Sequence, residues 1–552
     1  MKRIAILPLD DRPVNYDYPL ILARAAGAEA LLPPREFLGN PWRASQHAKL
    51  VDWLRAVSGQ VDAIILSVDT LAYGGLIRMR VSDEPFESVR QRLLALREIK
   101  SGNPGLKIIA SSVIQRVCRA NSSEEEKPYW ADYGARMFRL SCLEHKSALG
   151  EVSVDELSER DTLRAEIPDE VYQDYCQIRR RNHAVNRLMI DWVEEGVLDY
   201  LLLPQDDTAD YGWNISEARA LQASIRQRGL TARAITYPGA DEVGCLLLAR
   251  WVCQEAGFLP RIYARYSSSS SATLITDYED RPMPELIKAH LAPLDGILVA
   301  GPESADVVLF VNAPAIGQGA GEYQWLALKG LENIRSHLPL DLVEYVDQVA
   351  CDPNFLKTRR EMETPRRSPE EFTRAILSSL KQGCATAIAD VAFVNGSDLI
   401  LGQQLFCHPE ITQLAAYGGW NTAGNTLGTV LAQAVLRVVA LKQGATSAQQ
   451  AAHLGFLFAR FLDDYGFQAV ERTRSMVEDL PGLGLLPTVQ RLPEEAAEKI
   501  EACVSARLLR QADAFEKLFI AAGMARSVKV AEIYLPWKRL FEVGFRVDIE
   551  LQ

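Results

Sequence analysis

The chain has 552 residues, 48% of them hydrophobic, which suits roughly two to four ordinary globular domains. Its formal net charge is −12 and its pI about 5.3, and no basic stretch interleaved with aromatics occurs, which argues against nucleic acid as a partner. The opening MKRIAILPLDDRPVN holds an apolar run too short for a signal-peptide core or a bilayer span, so a cytoplasmic protein without a membrane partner is expected.

Taken in order, residues 4–9 read as a strand ending in Asp10, Asp11, Arg12, Pro13, Val14 and Asn15. A helix over 18–26, a strand over 28–32 and a helix over 47–58 follow. Residues 61–68 read as a buried strand closed by Asp69, Thr70, Tyr73, Gly74 and Gly75. An amphipathic helix over 88–100 leads to a strand over 107–113 and then to Gln115 and Arg116. A polar, helical insertion is expected over about 120–195. Residues 197–203 form the next apolar strand, expected to stop at Pro204. After it come Gln205, Asp206, Asp207, Thr208, Asp210, Tyr211, Trp213 and Asn214. A helix over 216–229 precedes a strand over 232–236, which ends in Tyr237, Pro238, Gly239, Ala240, Asp241 and Glu242.

A helix over 243–256 closes this part, and the texture then changes. Strands are expected over 261–266, 296–300, 307–312, 385–390 and 414–417, with helices over 282–290, 339–351, 368–382 and 429–441. Asn312 and Asn395 lie just past two of those strands, and the glycine-rich run 418–428 contains Trp420, Asn421 and Asn425. From 445 onward the pattern is helical, with a closing strand over 544–549.

Short apolar strands alternating with helical stretches predict an α/β fold. A parallel β/α domain is expected over 1–257, barrel-like or doubly wound. A second, Rossmann-like α/β domain is expected over 258–440, and a mainly helical C-terminal region over 441–552. In parallel βα units the strand ends fall on one side of the sheet, where ligands bind.

The polar strand ends are therefore the candidate site. Asp206 and Asp207 are the candidate catalytic pair, since adjacent carboxylates in different environments can divide acid and base roles. The competing role is capping of the helix that follows. The candidate binding residues around them are Asp10, Asp11, Arg12, Asn15, Asp69, Tyr73, Gln115, Arg116, Asp210, Tyr211, Asn214, Tyr237, Asp241 and Glu242. Asn312, Asn395, Trp420, Asn421 and Asn425 are added from the second domain, Trp420 as an exposed stacking surface for a sugar ring. For each of these loops an internal ion pair, cap or tight turn is the structural alternative.

Nine scattered cysteines form no CxxC, and seven histidines form no HxH or HExxH and lie outside the strand-end clusters. A disulfide framework, a zinc cluster and a histidine-ligated metal are thus disfavoured. The loops also lack the dinucleotide and P-loop glycine patterns.

The strings LPLDDRPVN, SVDTLAYGG, LPQDDTADYG and YGGWNTAGNTLG resemble an uncharacterised bacterial family, a domain of unknown function of about this length. That resemblance implies that the loops act together and names no reaction. The paired Asp206-Asp207 is also similar to the paired aspartates of O-GlcNAcase-like β-N-acetylhexosaminidases. This second resemblance implies that Asp206 orients a substrate acetamide as internal nucleophile and that Asp207 is the general acid/base. The expected function is a glycoside hydrolase acting on a small or amino sugar, with its site in the cleft between the two α/β domains. No cofactor is expected. The alternatives are a hydrolase with a carboxylate-held divalent metal and a non-catalytic sugar- or metabolite-binding protein. Homo-oligomerisation is left open.

Overall fold

Continuous apolar runs become buried parallel strands, because both faces of a parallel sheet are covered. In the computed structural model, which describes residues 2–336, 343–489 and 491–552, the first six are β1 (Arg3–Leu7), β2 (Glu29–Leu31), β3 (Ala63–Ser67), β4 (Lys107–Ser111), β5 (Tyr200–Gln205) and β6 (Ala234–Pro238). All pair in parallel, in the order β2-β1-β3-β4-β5-β6. This is an open, doubly wound sheet rather than a barrel. Its strand order reverses between β1 and β3, and in such sheets the crevice at the reversal is where ligands bind.

A second sheet contains β7 (Arg261–Tyr266), β8 (Ile297–Leu298), β9 (Val307–Asn312), β11 (Thr386–Asp390) and β13 (Ala416–Gly418). Its order, β13-β11-β9-β7-β8, is again parallel throughout. Read from β8, it repeats the order of the first five strands of the first sheet. The short strands β10 (Gly319–Ala320) and β12 (Phe393–Val394) pair beside it. At the C-terminal end β14 (Ser527–Tyr534) and β15 (Gly544–Glu550) form an antiparallel pair.

The chain divides into two compact units. The first comprises Met1–Tyr16, Ala28–Leu247 and Tyr278–Asp280, and the second Asp17–Gly27, Leu248–Asp277 and Arg281–Gln552. The α/β fold expected from the pattern is thus present, with parallel sheets and a largely helical C-terminal part. The insertion of the first unit is three helices, Trp130–Leu149, Val154–Glu166 and Asp169–Glu194. The second helix starts with a Ser153/Glu156 capping box, and the bundle has its own core around Trp130, Met137, Leu140 and Tyr175.

Several elements differ from expectation. β5 runs through Pro204 to Gln205 instead of stopping before it. Proline costs the ladder a donor. Its carbonyl still accepts from Ile114 N–H (2.7 Å), and the Asn186 amide donates to Ser112 O (3.3 Å) just past β4. The helix expected over 429–441 begins earlier, at Ala423, because Thr422 caps it by accepting from Asn425 N–H. β14 was not anticipated, nor were the helices Gly321–Lys329, Pro353–Met362 and Leu399–Leu405. Of the helix expected over 339–351, Val343–Cys351 is helical and residues 339–342 lie outside the described residues. Helix Ala423–Lys442 is long and apolar enough to cross a membrane, and 89% of its apolar window is buried inside the structure.

Candidate functional site

The strand ends of the first sheet carry a cluster of charge. β5 delivers Asp206, whose Oδ2 accepts from Arg80 Nη2 at 2.5 Å. Arg80 comes from the short helix Leu76–Val81 and is almost fully buried. Its Nη1 also meets Glu125 (3.0 Å) and Glu126 (3.7 Å). Arg116, just past β4, binds the same two glutamates at 3.1 Å each and reaches Asp207 at 3.5 Å. Two arginines thus serve four carboxylates.

The neighbouring aspartates differ sharply. The Asp206 side chain is 10% exposed and held by Arg80, while the Asp207 side chain is 26% exposed and its ion pair with Arg116 is long, at 3.5 Å. Asp207 sits at φ 56°, a left-handed conformation that Asp and Asn tolerate better than most residues. That turn sends its side chain off the pleat direction of β5. Asn214 Nδ2 donates to Asp207 O (3.0 Å) and holds the turn. Burial, with Asp206 adding to it against the pull of Arg116, pushes the Asp207 carboxyl above its ordinary range.

The reversal crevice lies alongside. At the end of β1, Asp10 accepts from Arg12 Nη2 (2.7 Å) and Asn15 Nδ2 (3.0 Å), and Arg12 reaches on to Asp241 (2.6 Å) past β6. At the end of β3, Asp69 is buried and accepts from Val113 N–H (2.9 Å). Desolvation, with Asp206 contributing, pushes Asp69 up to about 7. Thr70 Oγ1 lies within donating distance of Pro8 O (2.6 Å) and Leu9 O (2.7 Å), tying the two loops together. Gly75, at φ +123°, passes close to Leu9, where an added Cβ would stand 3.0 Å from the carbonyl oxygen. Gln115 Oε1 accepts from Asn182 Nδ2 (2.7 Å), and its buried Nε2 has no acceptor among the described residues.

Other candidates leave the cluster. Asp210 is exposed. Tyr211 donates to Glu151 (2.8 Å) and Trp213 to Glu144 (2.8 Å), both toward the helical insertion. Tyr237 is fully buried and donates to Glu242 Oε1 (2.7 Å), and burial pushes the Glu242 carboxyl up to about 8. This pair belongs to the interior and not to an open site. Tyr73 is buried, with the Arg181 guanidinium 4.7 Å over its ring.

Among the candidates of the second unit, the exposure expected of Trp420 is corrected. Trp420 is 6% exposed, with its ring edge-on to Phe541 at 5.9 Å, so it is a core tryptophan rather than an exposed platform. Asn421, at φ 67°, and Asn395, at φ 60°, shape two turns joined by the Asn395 N–H to Asn421 O bond (3.0 Å). Asn425 is buried in the first helical turn after Thr422. Asn312 is buried and donates to Asp390 (2.8 Å) and Asp398 (3.2 Å). Asp398 caps helix Leu399–Leu405 and pairs with the buried Arg367, which also holds Glu361 (2.8 Å).

Arg80, Glu125 and Glu126 are the residues that sequence reasoning missed. The glutamates lie in the run Glu124-Glu125-Glu126, which reads as solvated charge of the insertion. No local signal pairs Arg80 with Asp206. His145 was also missed: its Nδ1 accepts from Gly212 N–H (3.2 Å) on the Asp207 loop. Among the described residues, no group of three or more His, Cys, Asp or Glu side chains is placed to hold a metal ion. The cluster thus sets an Asp206 ion-paired with Arg80 next to a more accessible Asp207 whose carboxyl is pushed up. No curated protein matches the chain. No solved structure matches it either. A single family model spans nearly the whole chain, residues 4–546, and the chain belongs to that family, described as "Protein of unknown function (DUF4127)".

Proposed function

We propose that the first unit is a glycoside hydrolase acting on a small or amino sugar, with Asp207 as general acid and Asp206 as its ion-paired partner. The observation that carries this reading is the asymmetry of the pair: Asp206 held at 2.5 Å by buried Arg80, and Asp207 more exposed with its carboxyl pushed up. Glycosidases need two carboxyl groups in unlike states. In the reaction Asp207 gives its proton to the glycosidic oxygen as the bond to the anomeric carbon breaks and the alcohol leaves. Asp206 faces the positive charge that develops on the sugar, or orients an acetamide that attacks from within the substrate. Water then adds to the anomeric carbon and returns a proton to Asp207.

A panel of aryl glycosides and N-acetyl-aryl glycosides, assayed with and without EDTA, tests the reading. Asp207→Asn is expected to lower kcat by roughly 10²–10⁴-fold, most for poor leaving groups, which depend on protonation. Near-normal turnover in that variant, or no turnover of any glycoside by the parent, overturns it. Loss of parent activity with EDTA would favour the metal-dependent alternative instead.

A further inference from the structure

A third arginine is fixed beside the Asp207 turn, and it pairs with none of the cluster's acids. Arg119 stands in the loop after β4 and is exposed. Its Nη2 donates to the carbonyl of Thr208, the residue after Asp207 (3.0 Å). Its guanidinium lies over two rings, 5.4 Å from the centroid of Tyr278 and 5.5 Å from that of Phe138. Tyr278 is itself pinned to the turn, since its carbonyl accepts from Thr208 N–H (2.9 Å) and Thr208 Oγ1 (2.8 Å). Tyr278 adopts a left-handed backbone at φ 69°, a conformation that so bulky a residue holds only under constraint. All of these residues belong to the first unit. Asp206, Glu125 and Glu126 are taken up by Arg80 and Arg116, and Arg116 also meets Asp207. Arg119 forms no ion pair with a described residue.

Ordering so long a side chain costs rotamer entropy, and the two rings and one carbonyl hold Arg119 in place before a ligand arrives. The bond to Thr208 uses one of its N–H donors. The rest of the planar fork matches the paired oxygens of a carboxylate or a phosphate. A fixed full charge also favours such a group over a neutral hydroxyl. We propose that Arg119 is the specificity-determining residue of this site, and that the substrate is an acidic sugar whose carboxylate or phosphate it binds. This inference rests on the hydrolase reading above. The Asp207 carboxyl, pushed up by burial and by Asp206, is held back by Arg116, Arg80 and Arg119. An anion on Arg119 cancels part of that pull and favours the protonated acid.

The test uses the full chain. Calorimetric titration compares methyl uronides and hexose phosphates with methyl hexosides, which separates the two oxyanions, and steady-state kinetics compare acidic with neutral aryl glycosides. Arg119→Ala is expected to weaken binding of the preferred acidic sugar about 10- to 100-fold, and to lower kcat/KM for acidic relative to neutral aryl glycosides by a similar factor. Arg119→Lys keeps the charge without the fork and should recover only part of the loss. The alkaline limb of the pH profile of kcat/KM should move up in Arg119→Ala, because Asp207 then keeps its proton longer, a change that loss of a merely structural contact would not produce. Far-UV CD should show both variants folded. A parent that binds uronides and hexose phosphates no better than hexosides, or a preference unchanged in Arg119→Ala, overturns the proposal. The two claims separate cleanly. Turnover that needs Asp207 without an Arg119-dependent preference defeats only the acidic-sugar inference; Arg119-dependent binding of an acidic sugar without Asp207-dependent turnover defeats only the hydrolase.

Discussion

The second sheet repeats the order of the first five strands of the first, and both carry acidic residues at or just past strand ends, yet the two clusters are of different kinds. In the second unit Asp390, Asp398, Arg367 and Glu361 are fully buried, or nearly so, and their bonds close on one another and on backbone N–H groups. Asp463, Asp464 and Arg460 form a second sealed set, with Tyr18 donating to Asp463 (2.9 Å) and Gly419 N–H to Asp464 (2.8 Å). In the first unit the cluster is bonded just as densely below, through Arg80, but its upper members Arg116, Glu125 and Asp207 remain 17–26% exposed. A carboxylate at a strand end is therefore no mark of a site by itself. What sets Asp207 apart is that it is accessible, with its carboxyl pushed up, beside an Asp206 paired with a buried arginine.

The largest expected effect on stability lies in the sealed cluster. Arg367→Met leaves Glu361 and Asp398 buried without their cation, and should cost about 3–5 kcal/mol in urea unfolding, with activity per folded molecule unchanged. Arg80→Met should also destabilise, and in addition abolish turnover, because it frees Asp206. If both arginines affected turnover equally, the contrast between the units would break.

A smaller, pH-dependent effect sharpens the contrast within the first unit. The folded carboxyl of Asp69 is raised to about 7 from an ordinary 3.8. A raised group lends stability that is complete below the unfolded value and lost as pH rises through the folded one. Asp69→Asn mimics the protonated form. It should match the parent near pH 4 and become the more stable of the two between pH 4 and 7, by up to about 1.4 kcal/mol per pH unit. Parallel denaturation curves across that range would show that Asp69 is ionised throughout.

The parts legible in the sequence follow from local rules. Strands such as β3 and β9 are continuous apolar runs because both sheet faces are covered, and Asp206 and Asp207 stand out because they follow such a run. β14 was missed: Ser-Val-Lys-Val begins the alternation of a half-buried strand, but Val530-Ala531 breaks it near the register shift, and the surrounding segment reads as helical. The remainder depends on distant partners. Arg80 meets Asp206 across 126 positions, and Trp420 is buried against Phe541 from beyond several helices and β14. Tyr237 and Glu242 look like a polar strand end and turn into each other. Local polarity locates strand ends; only packing decides which of them face solvent.

The central claim is that the first unit's strand-end pair does chemistry and the second unit's holds the fold. It is tested most directly by comparing Asp207→Asn with Asp390→Asn on the aryl glycoside panel, with each rate referred to the folded fraction. The account predicts a loss of roughly 10²–10⁴-fold for Asp207→Asn and a parent-like rate for Asp390→Asn. A parent-like rate for Asp207→Asn together with a collapse for Asp390→Asn would contradict it.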